Sequence, residues 1–422
     1  MTDIVHRPSW DGLDGYSRTV AAQEAARTGP DPAVFTQLFE PMHPLDGPLK
    51  GCVVSVKDLF DVTGYVTRAG GRRRAKNPPA PADANCVAKM RNAGAAFVGH
   101  TNMTELAYSG LGLNPHYGTP ETPLFAGATA GGSSSGAAVS VARGYADLAL
   151  ATDTGGSARI PAAFCGLVGW KPTATRISRK GALPVSFTLD GVGLIGRSVA
   201  DVTAGFAVLS PMADIGPEPV RLLLAQGFGL DHLEDGVKIA FDHALQCLRD
   251  AKLSLGAMPP KPFETYVRIP VWHFAAVEIR SLQPGDWTEA NLIDPRVAER
   301  MARADDVSAI SYASSLRARA DFVEEMTEAL GTDVLVLPTA AILPPQISQC
   351  ATPEAFHRLN ALALRNTALA NVMDGCAISL PIGGHPGTGF MMIAARGQDE
   401  RLLRLATQIE RILRWNESQQ RR

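Results

Sequence analysis

The sequence predicts an α/β layered fold built as one large domain. Three observations predict it. Short apolar runs rich in β-branched residues alternate with helical patterns from about residue 50 to the end, the mark of helices packed on a sheet. Hydrophobic residues make up 45% of the 422-residue chain and charged residues 19%, enough apolar sequence for a large core. No internal repeat and no low-complexity linker divides the chain.

Residues 1–47 read as an N-terminal helical segment packing on the core, in which "GYSRTVAAQEAARTG" is a helix stopped at Gly29-Pro30. The domain proper is expected over 48–422. It opens on "GCVVSVKDLFDV", whose β-branched run over 51–57 reads as a buried strand. "DANCVAKMRNAGAAFVGHTNMTELAY" reads as a helix stopped by Gly94, a strand over 96–98, and a further helix from Thr101 or Asn102. Helices are expected over 134–142 and 199–209, with a short apolar strand over 146–151. "EDGVKIAFDHALQCLRDAK" is an amphipathic helix with Val237, Ile239, Ala240, Ala244, Cys247 and Leu248 near one face. The stretch over 253–319 carries no legible pattern. "ADFVEEMTEALG" is again a helix stopped by glycine, and "TDVLVLPTA" a buried strand stopped by Pro338. "CAISLPIGG" and "GFMMIAARG" read as strands. "DERLLRLATQIERILRW" is a final helix whose Asp399 and Glu400 complement the dipole in its first turn.

The totals exclude several functions. The formal charge is −2, and no Lys/Arg stripe with interleaved aromatics points to nucleic acid. The one basic run, "GRRRAKNPP", is rich in loop formers and reads as a solvated loop. None of the six cysteines forms a CxxC pair, which argues against zinc-finger and disulfide frameworks and for single buried thiols. The N-terminus has no apolar signal core, and no apolar run is long enough to span a bilayer. A soluble, cytoplasmic protein is expected, with no nucleic-acid or membrane partner.

Two glycine–serine knots lie close together in "TAGGSSSGAAVSVARGYADLALATDTGGSARIPAAFCG". The first, Gly131 to Gly136, matches G-x-S-x-G, which would make Ser134 a nucleophile. It also admits a phosphate cradle or a plain helix-opening turn with serine caps. The elbow reading needs a preceding strand, and "PETPLFAGATAGG" is turn-rich; the downstream histidines stand in no recognisable context. In the second knot, Gly155 and Gly156 can present successive backbone N–H groups as an anion nest beside Ser157. A surface turn is the plainer reading, but the core-like "AAFCGLVGWKP" follows at once. A serine needs a base, and "CVVSVKD" supplies Lys57. At a strand end such a lysine usually snorkels. If buried, it loses its proton more easily and can act as that base. Asp58 would project from the opposite face of the strand and need not hold Lys57 charged.

Taken together, "SVKDLFDVTG", "VGHTNMTELAYSG", "GGSSSGAAVSVARG", "LATDTGGSARIPAAFCGLVGWKPT" and "FTLDGVGLIGRSVADV" resemble the amidase signature family, in order, over 55–202. The C-terminal strands and helix over 333–415 agree more loosely, and the segment of about 210–320 is divergent and faces the substrate in this reading. The resemblance implies one domain with a central mixed β-sheet flanked by helices. It implies a Ser–Ser–Lys triad in which Ser157 is the nucleophile, Ser133 the relay after a cis Gly132–Ser133 peptide, and Lys57 the base. It implies an oxyanion hole at the backbone N–H groups of Thr154, Gly155, Gly156 and Ser157. Met103 is expected near the acyl pocket, and Asp153 and Arg159 either brace the Ser157 loop or touch substrate. Ser135 stands where the commonest pattern has glycine, and the usual Asn-Pro after "NPHYGTPETP" is absent, which leaves specificity open.

The resemblance points to an amidohydrolase cleaving the C–N bond of a small linear amide, through an acyl-enzyme, with ammonia or an amine released. No cofactor and no metal is expected. The expected partners are the small amide and, for assembly, a second copy in a homodimer. Two alternatives remain: a glutamine-hydrolysing A subunit of a tRNA-dependent amidotransferase, and a non-catalytic binding protein on the same fold.

Overall fold

A computed structural model describes residue 10 and residues 12–216, 220–283, 285, 287 and 292–420. Residues 1–9 and 11 of the expected N-terminal segment lie outside the described residues, as do 217–219 of the loop after the helix ending at Leu209.

Eleven strands form one sheet: β1 (Phe35–Leu38), β2 (Val53–Lys57), β3 (Ala96–Thr101), β4 (Leu148–Asp153), β5 (Val168–Lys171), β6 (Gly191–Gly196), β7 (Leu222–Leu224), β8 (Leu255–Ala257), β9 (Val334–Pro338), β10 (Cys376–Pro381) and β11 (Gly389–Ala394). Their order is β1-β3-β2-β4-β6-β5-β10-β11-β9-β7-β8. Parallel pairs (β2 with β3 and β4, β7 with β8 and β9) stand among antiparallel ones, so the sheet is mixed. Helices cover both faces.

Strand alternation sorts the core. In β4, Leu148 and Leu150 point to one face, and Ala149 and Ala151 to the other. The leucine face packs with Trp170 and Leu194 against Phe206 of the helix Val199–Leu209 and Leu402, Ala406 and Ile409 of the helix Asp399–Gln420. The alanine face receives Ala137, Ala138 and Val141 of the helix Ser135–Ala142. Small side chains on both partners let this helix come close, and the Ser55 and Ser140 hydroxyls meet across it at 2.8 Å. Further along the sheet, Leu335, Leu337 and Met391 pack under Phe322 and Met326 of the helix Ala309–Leu330. Emptying one such aromatic position, as in Phe206→Ala, costs about 3–5 kcal/mol.

Register brings the site together. Val54 and Val56 of β2 face Leu148 and Leu150 of β4, so Lys57 and Thr152 come out at the same edge. Antiparallel β6 begins opposite the end of β4, with Gly191 across from Asp153, which sets Asp190 beside the loop after β4.

Three sequence expectations need correction. No helix starts at Thr101 or Asn102: β3 runs to Thr101, and only a single 3₁₀ turn, Glu105–Ala107, follows. The Asn102 side chain accepts from Met103 N–H and donates to the carbonyls of Ala33 and Gly118, tying the chain into a loop where a helix would have begun. Ile239 is 61% exposed, while Phe241 and Leu245 join the buried face of Asp235–Asp250. Ile239 is two residues from Val237, nearly the opposite side of a helix. The helix read from Ala320 begins at Ala309, because the polar stretch before it holds no glycine or proline to stop it. All six cysteines are buried and free. The basic run forms a mostly exposed 3₁₀ turn, with the Arg73 guanidinium 4.2 Å from the Trp287 ring.

Candidate active site

Lys57 ends β2 with its side chain fully buried. Its Nζ lies 2.7 Å from Ser133 Oγ and donates to Thr152 Oγ1 at 2.7 Å. Burial pushes the ammonium down to about 7, while the carboxylates of Asp153 and Asp190 pull the other way without cancelling it. Asp58 turns away: it accepts from Thr36 Oγ1 at 2.8 Å and from Arg68 N–H at 2.9 Å. His100, beside Val56 in register, is also buried and held near 3 by desolvation, with Nε2 3.0 Å from the Phe60 carbonyl.

The first knot carries Ser133 to the lysine. The Gly132–Ser133 peptide is cis. Gly132 has no room for a side chain, since a Cβ there would meet the backbone nitrogen of Gly112. Gly132 N–H donates to the Gly110 carbonyl at 2.8 Å, and the Ser133 carbonyl accepts from Thr104 N–H at 3.0 Å. Ser134 N–H then donates to the Ser157 carbonyl at 3.3 Å, joining the two knots. Ser134 is fully buried, its hydroxyl directed to the Thr152 carbonyl at 3.5 Å rather than capping the helix.

The second knot folds around a buried ion pair. Arg159 Nε and Nη2 donate to Asp153 Oδ2 and Oδ1 at 3.0 and 2.8 Å. Burial alone would raise this carboxyl, but the guanidinium outweighs it and holds Asp153 at about 2. The ionised Asp153 accepts from Gly156 N–H at 2.9 Å and Ala158 N–H at 3.2 Å. Asn371 closes the cluster: Arg159 donates to its Oδ1 at 2.8 Å, and its Nδ2 donates to the Asp153 carbonyl at 2.8 Å. Asp153 and Arg159 brace the loop and do not line the cavity. Gly156 N–H, one of the four expected oxyanion donors, is the one that donates to Asp153. Gly156 has φ +133°, and a Cβ there would run into Thr367 Oγ1.

Thr154, Gly155 and Ser157 line a cavity of about 520 Å³ together with Tyr108 and Leu189. Ser133 and Ser134 do not reach its surface. Met103 packs behind it, fully buried with Leu59, Tyr108 and Val185. Among the described residues no group of three His, Cys, Asp or Glu could hold a metal ion. No helix there is long and apolar enough to cross a membrane.

Sequence reasoning missed Thr152, Asp190, Thr367 and Asn371. Asp190 accepts from Thr154 Oγ1 at 2.6 Å and from Val185 and Ser186 N–H at 2.9 Å each. It lies in "FTLDGVG", where an Asp-Gly pair reads as a turn. Thr367 donates to the Gly155 carbonyl at 2.6 Å. Thr367 and Asn371 are four residues apart in "RNTALANVMDG", a polar pair on one helix face that was available as a signal.

The family model for amidases matches residues 39–403. The chain is 32% identical to the 2-amino-5-chloromuconic acid deaminase of Comamonas testosteroni, over 96% of this chain and 88% of that one. It is 33% identical to the indoleacetamide hydrolase of Pseudomonas savastanoi, over 90% of this chain and 87% of the relative. A crystal structure of an amidase superposes with a TM-score of 0.82 at 29% identity, covering 95% of this chain and 96% of that one. With the mixed sheet and both glycine–serine knots on the same frame, the chain belongs to the amidase family, the amidase-signature hydrolases of carbon–nitrogen bonds.

Proposed function

We propose that the protein is a serine amidohydrolase that cleaves a small linear amide through Ser157, Ser133 and Lys57. The observation that carries this reading is the fully buried Lys57, with a pKa of about 7 and its Nζ 2.7 Å from Ser133 Oγ. A buried neutral amine beside a hydroxyl is the base a serine nucleophile requires.

The substrate carbonyl carbon meets Ser157 Oγ. The Ser157 proton passes to Ser133 Oγ while the Ser133 proton passes to Lys57 Nζ. Charge gathers on the carbonyl oxygen, which the N–H groups of Thr154, Gly155 and Ser157 receive. Gly156 N–H, bonded to Asp153, fixes the loop instead. The tetrahedral adduct breaks its C–N bond, and the proton returns through the relay to the departing ammonia or amine. Water then attacks the Ser157 ester by the same route, releasing the acid.

A fluorophosphonate probe tests the reading. It should label Ser157 in the wild type and fail on Ser157→Ala, and Ser157→Ala should release no ammonia from any amide the wild type cleaves. Full turnover in Ser157→Ala sinks the proposal. The same assay separates the alternatives: absence of both labelling and amide turnover favours a silent scaffold, and glutaminase activity that needs copurifying subunits favours the amidotransferase.

A further inference from the structure

Part of the cavity that Ser157 lines is built by residues the family motifs do not include. The helix Pro295–Ala302 leads into the 3₁₀ turn Arg303–Asp306. It is anchored at its start, where Asp294 N–H donates to Glu105 Oε2 at 2.6 Å. Both Arg300 and Arg303 line the cavity. The Arg300 guanidinium lies 4.2 Å from the Tyr108 ring and donates to the Tyr108 carbonyl. The Arg303 guanidinium lies 4.2 Å from the Trp272 ring. Tyr108 and Trp272 line the same cavity, so each arginine is backed by an aromatic wall residue.

Among the described residues neither cation is in a direct ion pair, and the carboxylate acting on Arg300 is Glu299, which pairs with His357. No Asp or Glu lines the cavity. Of the other basic residues there, Arg365 is paired with Asp231, and His357 contacts Glu299 at 3.0 Å. Asp305, on the turn itself, pairs with Arg280 at 3.5 Å. Among the described residues no carboxylate comes within ion-pair reach of Arg300 or Arg303. Burial lowers the Arg300 pKa and nearby Arg303 adds to this, while Tyr108 and Glu299 oppose it. Much of the remaining wall is apolar, with Val185, Leu189, Tyr266 and Leu364 among its residues.

Resting on the amidohydrolase reading above, we propose that Arg300 and Arg303 bind a carboxylate of the substrate, so that the amide cleaved at Ser157 belongs to a molecule carrying an acid group across an apolar spacer. Two adjacent guanidinium forks match a carboxylate in charge and geometry, and an aromatic backing keeps them ordered before the ligand arrives. The cavity lies within the size range of small-molecule sites.

Two measurements test it. The first uses Ser157→Ala protein, which needs no turnover, and titrates glutarate, adipate, suberate and 1,4-phenylenediacetate by calorimetry beside the corresponding monoacids. At least one diacid should bind about tenfold more tightly than its monoacid, an advantage that Arg303→Gln and Arg300→Gln remove and Arg300→Lys partly restores. The second compares wild-type kcat/KM for the monoamides of those diacids with neutral amides of equal length. The acid amide should lead by about tenfold or more, and that ratio should fall toward one in the Arg→Gln variants, through KM. Equal binding of diacids and monoacids, or a preference for neutral arylacetamides that both Arg→Gln variants leave in place, overturns the proposal. Diacid binding that depends on Arg303, in a wild type that neither reacts with the fluorophosphonate nor cleaves any amide, keeps the carboxylate site and removes the hydrolase reading instead.

Discussion

Lys57 Nζ and Ser133 Oγ stand 2.7 Å apart at the end of a strand, with no solvent access to the amine. The proposed chemistry runs on the neutral form of Lys57, and burial sets its pKa at about 7. Below that value the ammonium has no lone pair to accept the Ser133 proton. Activity should therefore rise with pH through a single midpoint near 7 and level off above it. Measuring kcat/KM from pH 5.5 to 9 checks this, and a flat profile rejects Lys57 as base. Lys57→Met should lose on the order of a thousandfold in kcat, within the range for removing a general base.

Asp190 should tune that midpoint. Its carboxylate, together with that of Asp153, favours the charged lysine and so raises the Lys57 pKa against desolvation. Asp190→Asn removes one of these negative charges while keeping the shape. The acidic limb should move to lower pH. Because Asp190 also holds Thr154 Oγ1 at 2.6 Å, kcat on the plateau should drop as well. A lower plateau with an unmoved midpoint would limit Asp190 to a mechanical role.

The parts legible in the sequence were those where local chemistry and fold agree. "CVVSVKD" is both a buried strand and the carrier of an unusual lysine, and the two knots are unusual enough in composition to be located without coordinates. What stayed hidden depends on contacts distant in the chain. Arg300 and Arg303 lie on a short helix and turn in the stretch with no legible pattern, and nothing local tells that they line the same cavity as Ser157. The Asp153–Gly156 bond was likewise invisible. It arises because Arg159 and Asn371 hold the carboxylate under the loop, within reach of Gly156 N–H.

Breaking the Asp153–Arg159 pair should hurt stability and activity together. Arg159→Met leaves a carboxylate buried without a counter-ion, a change that costs about 3–5 kcal/mol in folded proteins. The pH dependence should also reverse. In the wild type the Asp153 pKa of about 2 lies below the unfolded carboxylate range, so the pair stabilises above that range and weakens as pH falls toward 2. In Arg159→Met, burial raises the Asp153 pKa above the unfolded value, so stability falls as pH rises through it. Denaturant midpoints at pH 4 and pH 8 for both proteins check the sign. The double variant Asp153→Asn/Arg159→Met should regain part of the stability but not the activity, since Gly156 and Ala158 lose their ionic acceptor.

Gly156→Ala isolates the loop geometry from the triad. The new Cβ would meet Thr367 Oγ1 and Cβ and Ile160 Cδ1, at a φ of +133° that side chains rarely adopt. Such a residue costs of the order of 1–3 kcal/mol when the surroundings enforce it, so the protein should fold with a lowered Tm. Relief of the clash would displace Thr367, whose hydroxyl holds the Gly155 carbonyl at 2.6 Å, and with it the N–H groups of Gly155 and Ser157. Losing one oxyanion donor typically costs about a hundred- to a thousandfold in kcat. The loss should appear in kcat more than in KM, because the donors act on charge that develops only after attack. Adding Thr367→Ala removes the clash with Oγ1 but leaves those with the Cβ at position 367 and Ile160 Cδ1, and it removes the bond to Gly155. The double variant should therefore recover Tm only in part and kcat not at all. Recovery of both would show that the Gly155 carbonyl needs no restraint from Thr367.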